Sequence, residues 1–106
     1  MYAVIFRATV ARLDEDYLAT AQRMRELALG EYGCVDFVTA HEGDQEIAIS
    51  YWESEEQILA WRGNPEHLQA QERGREHWYS EYCVEVVEVQ RAYGSGSLGD
   101  SAGAVH

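Results

Sequence analysis

The first predicted strand of this chain carries apolar side chains on both of its faces. Residues 2–10 are β-branched and aromatic, a composition that favours a strand. Because side chains alternate along a strand, one face carries Tyr2, Val4, Phe6, Ala8 and Val10. The other face is apolar except for Arg7 and Thr9. Both faces of this strand therefore have to be covered in the folded protein.

A helix and a hairpin are predicted after this strand. Asp14 and Asp16 supply the acids that favour a helix N-terminus. An apolar stripe at helical spacing follows them, and it consists of Tyr17, Ala21, Met24 and Ala28. Gly30 and Gly33 end the helix. Residues 34–41 and 45–52 then read as two strands joined by a glycine-containing turn, which is typical of a β-hairpin.

Two further helical pieces and a last strand complete the chain. Ser54 and Gln57 have the spacing of a capping box, and they open a short helix that Gly63 closes. Asn64 and Pro65 start another helix, which we expect to run to about Tyr79. Gly74 within it indicates a close packing contact, because mid-helix glycine costs about 1 kcal/mol against alanine. Residues 82–93 predict the last strand. The phase of its alternation changes at Val86-Val87, which indicates a bulge there or a far half with a different neighbour.

The order β-α-β-β-α-β predicts an α+β, ferredoxin-like fold with a four-stranded antiparallel sheet over residues 1–93. Residues 94–106 are rich in glycine and serine and predict a flexible tail. Right-handed crossovers place the first and third strands in the centre, so Cys34 and Cys83 fall on opposite edges and form no disulfide. One layer of helices covers only one face of such a sheet. We therefore expect a second copy of the chain to cover the other, forming a homodimer.

Composition excludes several classes of partner. The net charge is −11 and the chain contains no lysine, so its surface repels phosphate backbones and we expect no nucleic-acid partner. No apolar run approaches the roughly 20 residues that span a bilayer, so we expect no membrane association. The chain begins with an apolar strand and no basic region, which predicts no signal peptide and a cytoplasmic location. Its cysteines and histidines lack metal-ligand spacing, so no metal is expected.

The candidate binding residues are concentrated between residues 47 and 82. Their large aromatic side chains are expected to wall a pocket and bind a planar ligand: Tyr51, Trp52, Trp61 and Trp78. His67 is the best candidate for a general base, and a helix break at residues 63–65 brings it towards Trp61 at a corner. Arg7 and Arg75 are candidates for stabilising a phenolate or enolate, Arg7 as a catalytic group and Arg75 in substrate binding. The alternatives are a core role for the tryptophans, surface ion pairs for the arginines and a helix-capping or structural role for His67.

One run of motifs resembles a known family. It reads Trp52-x-Ser54-x-Glu56, then Ile58 and Trp61, then Glu66-His67-x-x-Ala70-Gln71-x-x-Gly74-Arg75. With this run and the β-α-β-β-α-β frame, the chain resembles the antibiotic biosynthesis monooxygenase family. The resemblance implies a dimeric α/β barrel with a hydrophobic pocket. It also implies oxygenation of a polyketide-like quinol or anthrone without a cofactor.

The family resemblance leaves two other functions open. One is a non-catalytic, ligand-binding dimer that keeps the fold. The other is haem binding and degradation, which in this family uses a first-strand asparagine, a helical tryptophan and a later histidine. Trp61 fits the tryptophan, but the histidine position falls near Gln71 and the first strand offers Phe6-Arg7. Haem is therefore disfavoured, and the resemblance implies a cofactor-independent monooxygenase that acts on a small aromatic molecule.

Overall fold

A computed structural model describes residues 1–96 of the chain, and the predicted tail lies mostly outside the described residues. In chain order the elements are β1 (Tyr2–Val10), α1 (Glu15–Gly30), β2 (Asp36–Glu42), β3 (Gln45–Trp52), α2 (Glu55–Arg62), α3 (Pro65–Arg73), a π-helical segment (Gly74–Trp78) and β4 (Tyr79–Glu88). None of the helices in residues 1–96 is long and apolar enough to cross a membrane.

The four strands form one antiparallel sheet in the order β2-β3-β1-β4. At its centre, Val4 lies opposite Ser50 of β3 and Val86 of β4. The predicted ferredoxin-like topology, with β1 and β3 central, is therefore confirmed. Cys34 is buried and Cys83 is exposed, and both thiols are free, as their predicted positions on opposite edges require.

Each helix begins at the residue that the sequence predicts. The Asp14 carboxylate accepts a hydrogen bond from the Tyr17 backbone N–H at 2.8 Å. Ser54 and Gln57 form a reciprocal capping box at the start of α2. Asn64 caps α3 and Pro65 occupies its first turn, where a missing N–H has no consequence. These caps satisfy backbone donors that would otherwise lack partners at the helix ends.

The last strand differs from its prediction in two ways. It spans Tyr79–Glu88 rather than 82–93, because the π-helical segment leads directly into extended backbone at Tyr79. The bulge lies at the other end of the strand, between Thr9 and Val10 on β1, whereas Val86 and Val87 pair in regular register. Val86 and Val87 are 41% and 39% exposed, so on this edge strand neither face is well covered. The change of apolar alternation at Val86-Val87 therefore does not correspond to a bulge.

The core lies between the helices and one face of the sheet. Buried side chains from all layers meet there, and they include Val4, Leu27, Ala28, Phe37, Trp52, Ile58 and Trp61. The opposite face, which we call the open face, carries apolar side chains of intermediate exposure, among them Ile5, Ile47, Ile49 and Tyr51. Val38 on the same face is 47% exposed. The two-faced apolar pattern of β1 therefore corresponds to a core on one side and an apolar surface on the other.

The predicted close contact at Gly74 is confirmed. A Cβ at Gly74 would lie 2.5 Å from Cε2 and 2.9 Å from Cδ2 of Tyr79, whereas a Cβ at Gly30 would meet nothing within 4 Å. We expect Gly74→Ala to lower the free energy of unfolding by about 1–3 kcal/mol, because the Tyr79 ring has to move. Gly30→Ala, the matched control, should leave it unchanged or raise it by up to about 1 kcal/mol. Urea denaturation measures both values, and equal stabilisation of the two variants would contradict the close contact.

Candidate functional site

A cavity of about 260 Å³ lies between the helices and the helix-facing side of the sheet. Seven aromatic rings contribute to its wall, and they belong to Phe6, Tyr17, Phe37, Trp61, Trp78, Tyr79 and Tyr82. The charged and strongly polar groups along it are few: Glu46, Arg62, His67, Gln71 and Arg75. An apolar cleft with a small number of placed polar groups is the usual form of a small-molecule site.

One end of the cavity, which we call the Trp61 end, is formed by the corner between α2 and α3. The rings of Trp61 and His67 are 4.4 Å apart between centroids and meet edge to face at 78°. The Trp61 indole is held in place because its Nε1 donates to the Met24 carbonyl oxygen at 3.2 Å. The helix break at residues 63–65 thus brings the indole and the imidazole together, as the sequence predicts. Their roles in binding and catalysis remain predictions.

His67 is a neutral, incompletely satisfied side chain at this end. Burial, and then the positive charge of Arg62, lower the pKa of His67 to about 4, so the imidazole is uncharged at neutral pH. Its Nδ1 atom is buried and has no hydrogen-bond partner among the described residues. A buried polar atom without a partner costs about 1–3 kcal/mol. A ligand that hydrogen-bonds to this nitrogen would recover part of that free energy.

The other end of the cavity, which we call the Tyr79 end, is a cluster of rings. The Tyr79 ring lies 5.3 Å from Phe6 and 5.9 Å from Tyr17, and Tyr17 meets Trp78 edge-on at 5.3 Å. Burial, and then the neighbouring Tyr79 and Glu46, raise the pKa of Tyr17 above its usual range. Burial also raises the pKa of Tyr79, to about 12. Both phenols therefore stay protonated at neutral pH.

Sequence reasoning missed the polar groups of the Tyr79 end. Glu46 lies opposite Ala8, so it shares the helix-facing side of the sheet with Phe6 and Ala48. An acid at an inward-facing position of a hairpin strand is unusual, and the alternation of β3 contained that signal. In the sequence, Tyr17 belongs to a helix stripe and Tyr79 to the predicted end of a helix. A periodicity does not distinguish a core ring from a cavity wall.

Four of the predicted site residues line the cavity, and they are Trp61, His67, Arg75 and Trp78. Arg75 and Trp78 come from the π-helical segment, a type of helical irregularity found frequently at functional sites. Arg75 is exposed, so its guanidinium lies at the cavity mouth. Arg75 follows Gln71 by four residues and Gln71 follows His67 by four. The three side chains therefore form a polar row along one side of the cavity.

Three of the predicted site residues do not line the cavity. Trp52 is fully buried behind Trp61, with ring centroids 5.1 Å apart, and its Nε1 donates to the Ser50 hydroxyl at 2.8 Å. Successive side chains of a strand point to opposite faces of the sheet. The residues next to Tyr51 and Arg7 face the helices, so Tyr51 and Arg7 lie on the open face. Trp52 therefore supports the cavity wall from behind, and Arg7 is on the wrong side of the sheet to act in this cavity.

The cavity does not suit a metal or a haem. Residues 1–96 contain no group of three or more side chains placed to hold a metal ion. A volume of about 260 Å³ is below the roughly 300–1,000 Å³ of pockets for drug-sized ligands, and a haem is larger than most such ligands. Phe6, on the strand where the haem-degrading relatives have an asparagine, contributes an apolar ring to the wall. The cavity therefore does not fit a haem.

Comparisons with known proteins agree with this fold. SnoaB, a cofactor-independent oxygenase from Streptomyces nogalater, is similar with a TM-score of 0.74 and 14% identity, covering 89% of this chain and 97% of its own. Rv0793 from Mycobacterium tuberculosis has a TM-score of 0.72 and 19% identity, covering 88% and 98%. At these identities the likeness shows the fold alone.

Two sequence comparisons go further. The uncharacterized protein YqjZ of Bacillus subtilis strain 168 is 41% identical over 91 residues, which cover 85% of this chain and 80% of the relative. The profile of the family described as antibiotic biosynthesis monooxygenase matches residues 1–73, more than half of the chain. By this profile match, the chain belongs to the antibiotic biosynthesis monooxygenase family.

Proposed function

We propose that this protein is a cofactor-independent monooxygenase that acts on a planar aromatic or polyketide-like substrate, a quinol or an anthrone. The observation that carries the proposal is the Trp61 end of the cavity. There the ring centroids of a fixed indole and a neutral imidazole are 4.4 Å apart, the imidazole Nδ1 has no hydrogen-bond partner within residues 1–96, and seven aromatic rings line the cavity. Flat rings favour a flat ligand, and the uncharged imidazole supplies a proton acceptor beside Trp61.

The proposed reaction begins with a proton transfer. A phenolic or anthrone substrate stacks along the aromatic wall and gives a proton to His67, leaving a delocalised carbanion. Because the pKa of His67 is low, the proton is held only while the substrate anion lies beside the imidazolium. The charges of Arg62 and Arg75, which also line the cavity, stabilise that anion.

Dioxygen then reacts with the carbanion, and the substrate supplies all of the electrons. For an anthrone, the methylene carbon binds dioxygen to give a hydroperoxide, which loses water. One oxygen atom becomes the new carbonyl and the other leaves as water with the two hydrogens of the methylene. This balance requires no other reductant. For this reaction the cavity has to supply only a base, a cationic surface and the exclusion of water.

A non-catalytic binding function is the second candidate, and one observation favours it. A general base works best when its pKa is near the operating pH, and burial moves that of His67 to about 4. In this interpretation the free imidazole nitrogen only hydrogen-bonds to a ligand. Oxygen consumption distinguishes the two candidates, because a binding protein takes up ligand without consuming oxygen.

Oxygen uptake with dithranol as substrate tests the proposed function. We expect uptake above the non-enzymatic rate by the wild type, and a loss of about 100- to 10,000-fold in His67→Ala, because a general base contributes that factor. His77→Ala is the control, since His77 is exposed and does not line the cavity. His77→Ala should keep the wild-type melting temperature, and His67→Ala should stay folded with a small decrease, because it loses the ring contact with Trp61. Ligand binding without any uptake would support the non-catalytic candidate instead.

The acid side of the pH profile tests the role of His67 separately. The folded protein keeps this imidazole neutral down to about pH 4, so kcat/KM should stay level between pH 8 and pH 5. A histidine with the ordinary pKa near 6.5 would instead lose roughly thirtyfold over the same range. Initial rates of oxygen uptake, corrected for the non-enzymatic rate at each pH, give the profile. A fall centred near pH 6.5 would remove the buried His67 as the base.

We also propose that the functional unit is a homodimer formed through the open face. The apolar side chains of that face lie mainly on the two central strands. Ile49 on β3 is opposite Ile5 on β1 and, on its other side, opposite Val38 on β2. A contiguous apolar surface on a sheet is usually an interaction site. A second copy presents the same surface, so an isologous contact between open faces would cover both.

Light scattering at micromolar concentration tests the dimer. We expect about twice the chain mass of 12.0 kDa for the wild type, and the single-chain mass for Ile49→Asp, because a charge would be buried at the centre of the contact. Leu59→Asp is the control, since Leu59 is 69% exposed on α2, away from the open face. Circular dichroism confirms that each variant is folded. A monomeric wild type would overturn this proposal.

A further inference from the structure

The Tyr79 end of the cavity contains one acidic group that the proposed reaction does not use. Glu46 contributes the only carboxylate among the residues lining the described cavity, and its side chain is 15% exposed. The same side chain also lines an adjoining pocket that opens towards His41. His41 is its one ion-pair partner within residues 1–96, at 3.6 Å, and that imidazole is 66% exposed. The Tyr17 hydroxyl, whose pKa is raised by burial and in part by a hydrogen bond to Glu46, is another neighbour of this carboxylate. The carboxylate is therefore largely shielded from water and keeps free acceptor positions, because an ionised carboxyl group can accept about four hydrogen bonds.

Glu46 and His67 lie towards opposite ends of the cavity. Trp61, next to His67, packs edge-on against Phe37, and Phe37 lies opposite Ser50 on β3. Glu46 precedes Ser50 by four residues, which corresponds to about 13 Å of strand. Ala48, between them on the same face, also lines the cavity. A planar ligand that lies along this face of β3 therefore has one end towards Glu46 and the other towards His67.

The two ends differ in their hydrogen-bonding chemistry. A carboxylate only accepts hydrogen bonds, so the Tyr79 end favours a group that donates one. Arg62 and the neutral His67 at the Trp61 end favour an oxygen atom that accepts a hydrogen bond or carries negative charge. The rings of Tyr17 and Tyr79 keep water away from Glu46, which strengthens a hydrogen bond made there. The cavity is thus polarised along its length.

We propose that Glu46 is a specificity-determining residue that binds a hydroxyl or amino group at one end of a planar aromatic ligand, whose other oxygen lies at His67. The proposal rests on the proposed function, because it assumes a planar aromatic ligand in this cavity. It adds the orientation of that ligand and the requirement for a hydrogen-bond donor remote from the reacting oxygen. A carboxylate at the Tyr79 end selects for such a donor because an ether or an unsubstituted ring adds no hydrogen bond to those from its protein neighbours.

A matched pair of ligands tests this role. 2-Hydroxyanthraquinone and 2-methoxyanthraquinone share the ring system, but only the first donates a hydrogen bond. Quenching of tryptophan fluorescence reports their binding, because Trp61 and Trp78 line the cavity. We expect the wild type to bind the hydroxy compound about tenfold more tightly or better, as expected for a hydrogen bond to a charged group.

The variants decide whether Glu46 causes the preference. Glu46→Gln should lower the preference for the hydroxy compound by about fivefold or more, because a neutral amide is a weaker acceptor than a carboxylate. Glu72→Gln is the control, since it makes the same change of charge at an exposed position of α3 outside the cavity. Equal affinity of the wild type for both compounds, or an unchanged preference in Glu46→Gln, would overturn the role of Glu46 while leaving the proposed function intact. Failure of both compounds to bind would overturn the two together.

Discussion

The rest of the site depends on the contacts of the Trp61 indole. The ring lies 5.1 Å from Trp52 on the sheet, 6.0 Å from Phe37 and 4.4 Å from His67, while its Nε1 donates to a carbonyl of α1. One side chain therefore joins the sheet to three helices. Aromatic pairs contribute about 0.5–1.5 kcal/mol each beyond their buried area. Because these contacts also define one wall of the cavity, the stability of the fold and the shape of the site are coupled.

The interruptions of the helical layer place the remaining functional side chains. A continuous helix from residue 55 to residue 78 would present one stripe to the sheet. The chain instead turns at Gly63, restarts at Asn64 with its own cap, and widens into the π-helical segment at Gly74. Each interruption changes the direction in which side chains project, and the cavity receives residues from α2, α3 and the π-helical segment as a result.

The sequence was sufficient for the topology because each boundary has a local chemical cause. Asp14, Ser54 and Asn64 cap the helices, and the strand alternation fixes which faces are apolar. The same alternation would have excluded Tyr51 and Arg7 from a cavity near His67, once the covered face was known. The alternation also places Glu46 on the helix-facing side, but its burial depends on rings that approach from α1 and β4, and the sequence does not predict that approach. The predicted start of β4 was also wrong, because residue propensities do not indicate a helix that ends in a π-helical segment.

The polarity of the cavity follows from where those rings converge. Burial by aromatic side chains disfavours charge, so it lowers the pKa of His67 and raises those of Tyr17 and Tyr79. All three groups are therefore uncharged at neutral pH, although they are ionisable. In such surroundings a carboxylate at one end and guanidinium groups elsewhere interact more strongly than in water. A ligand that places its donor and its acceptor at the right ends satisfies these groups, and the aromatic wall selects for the flat shape between them.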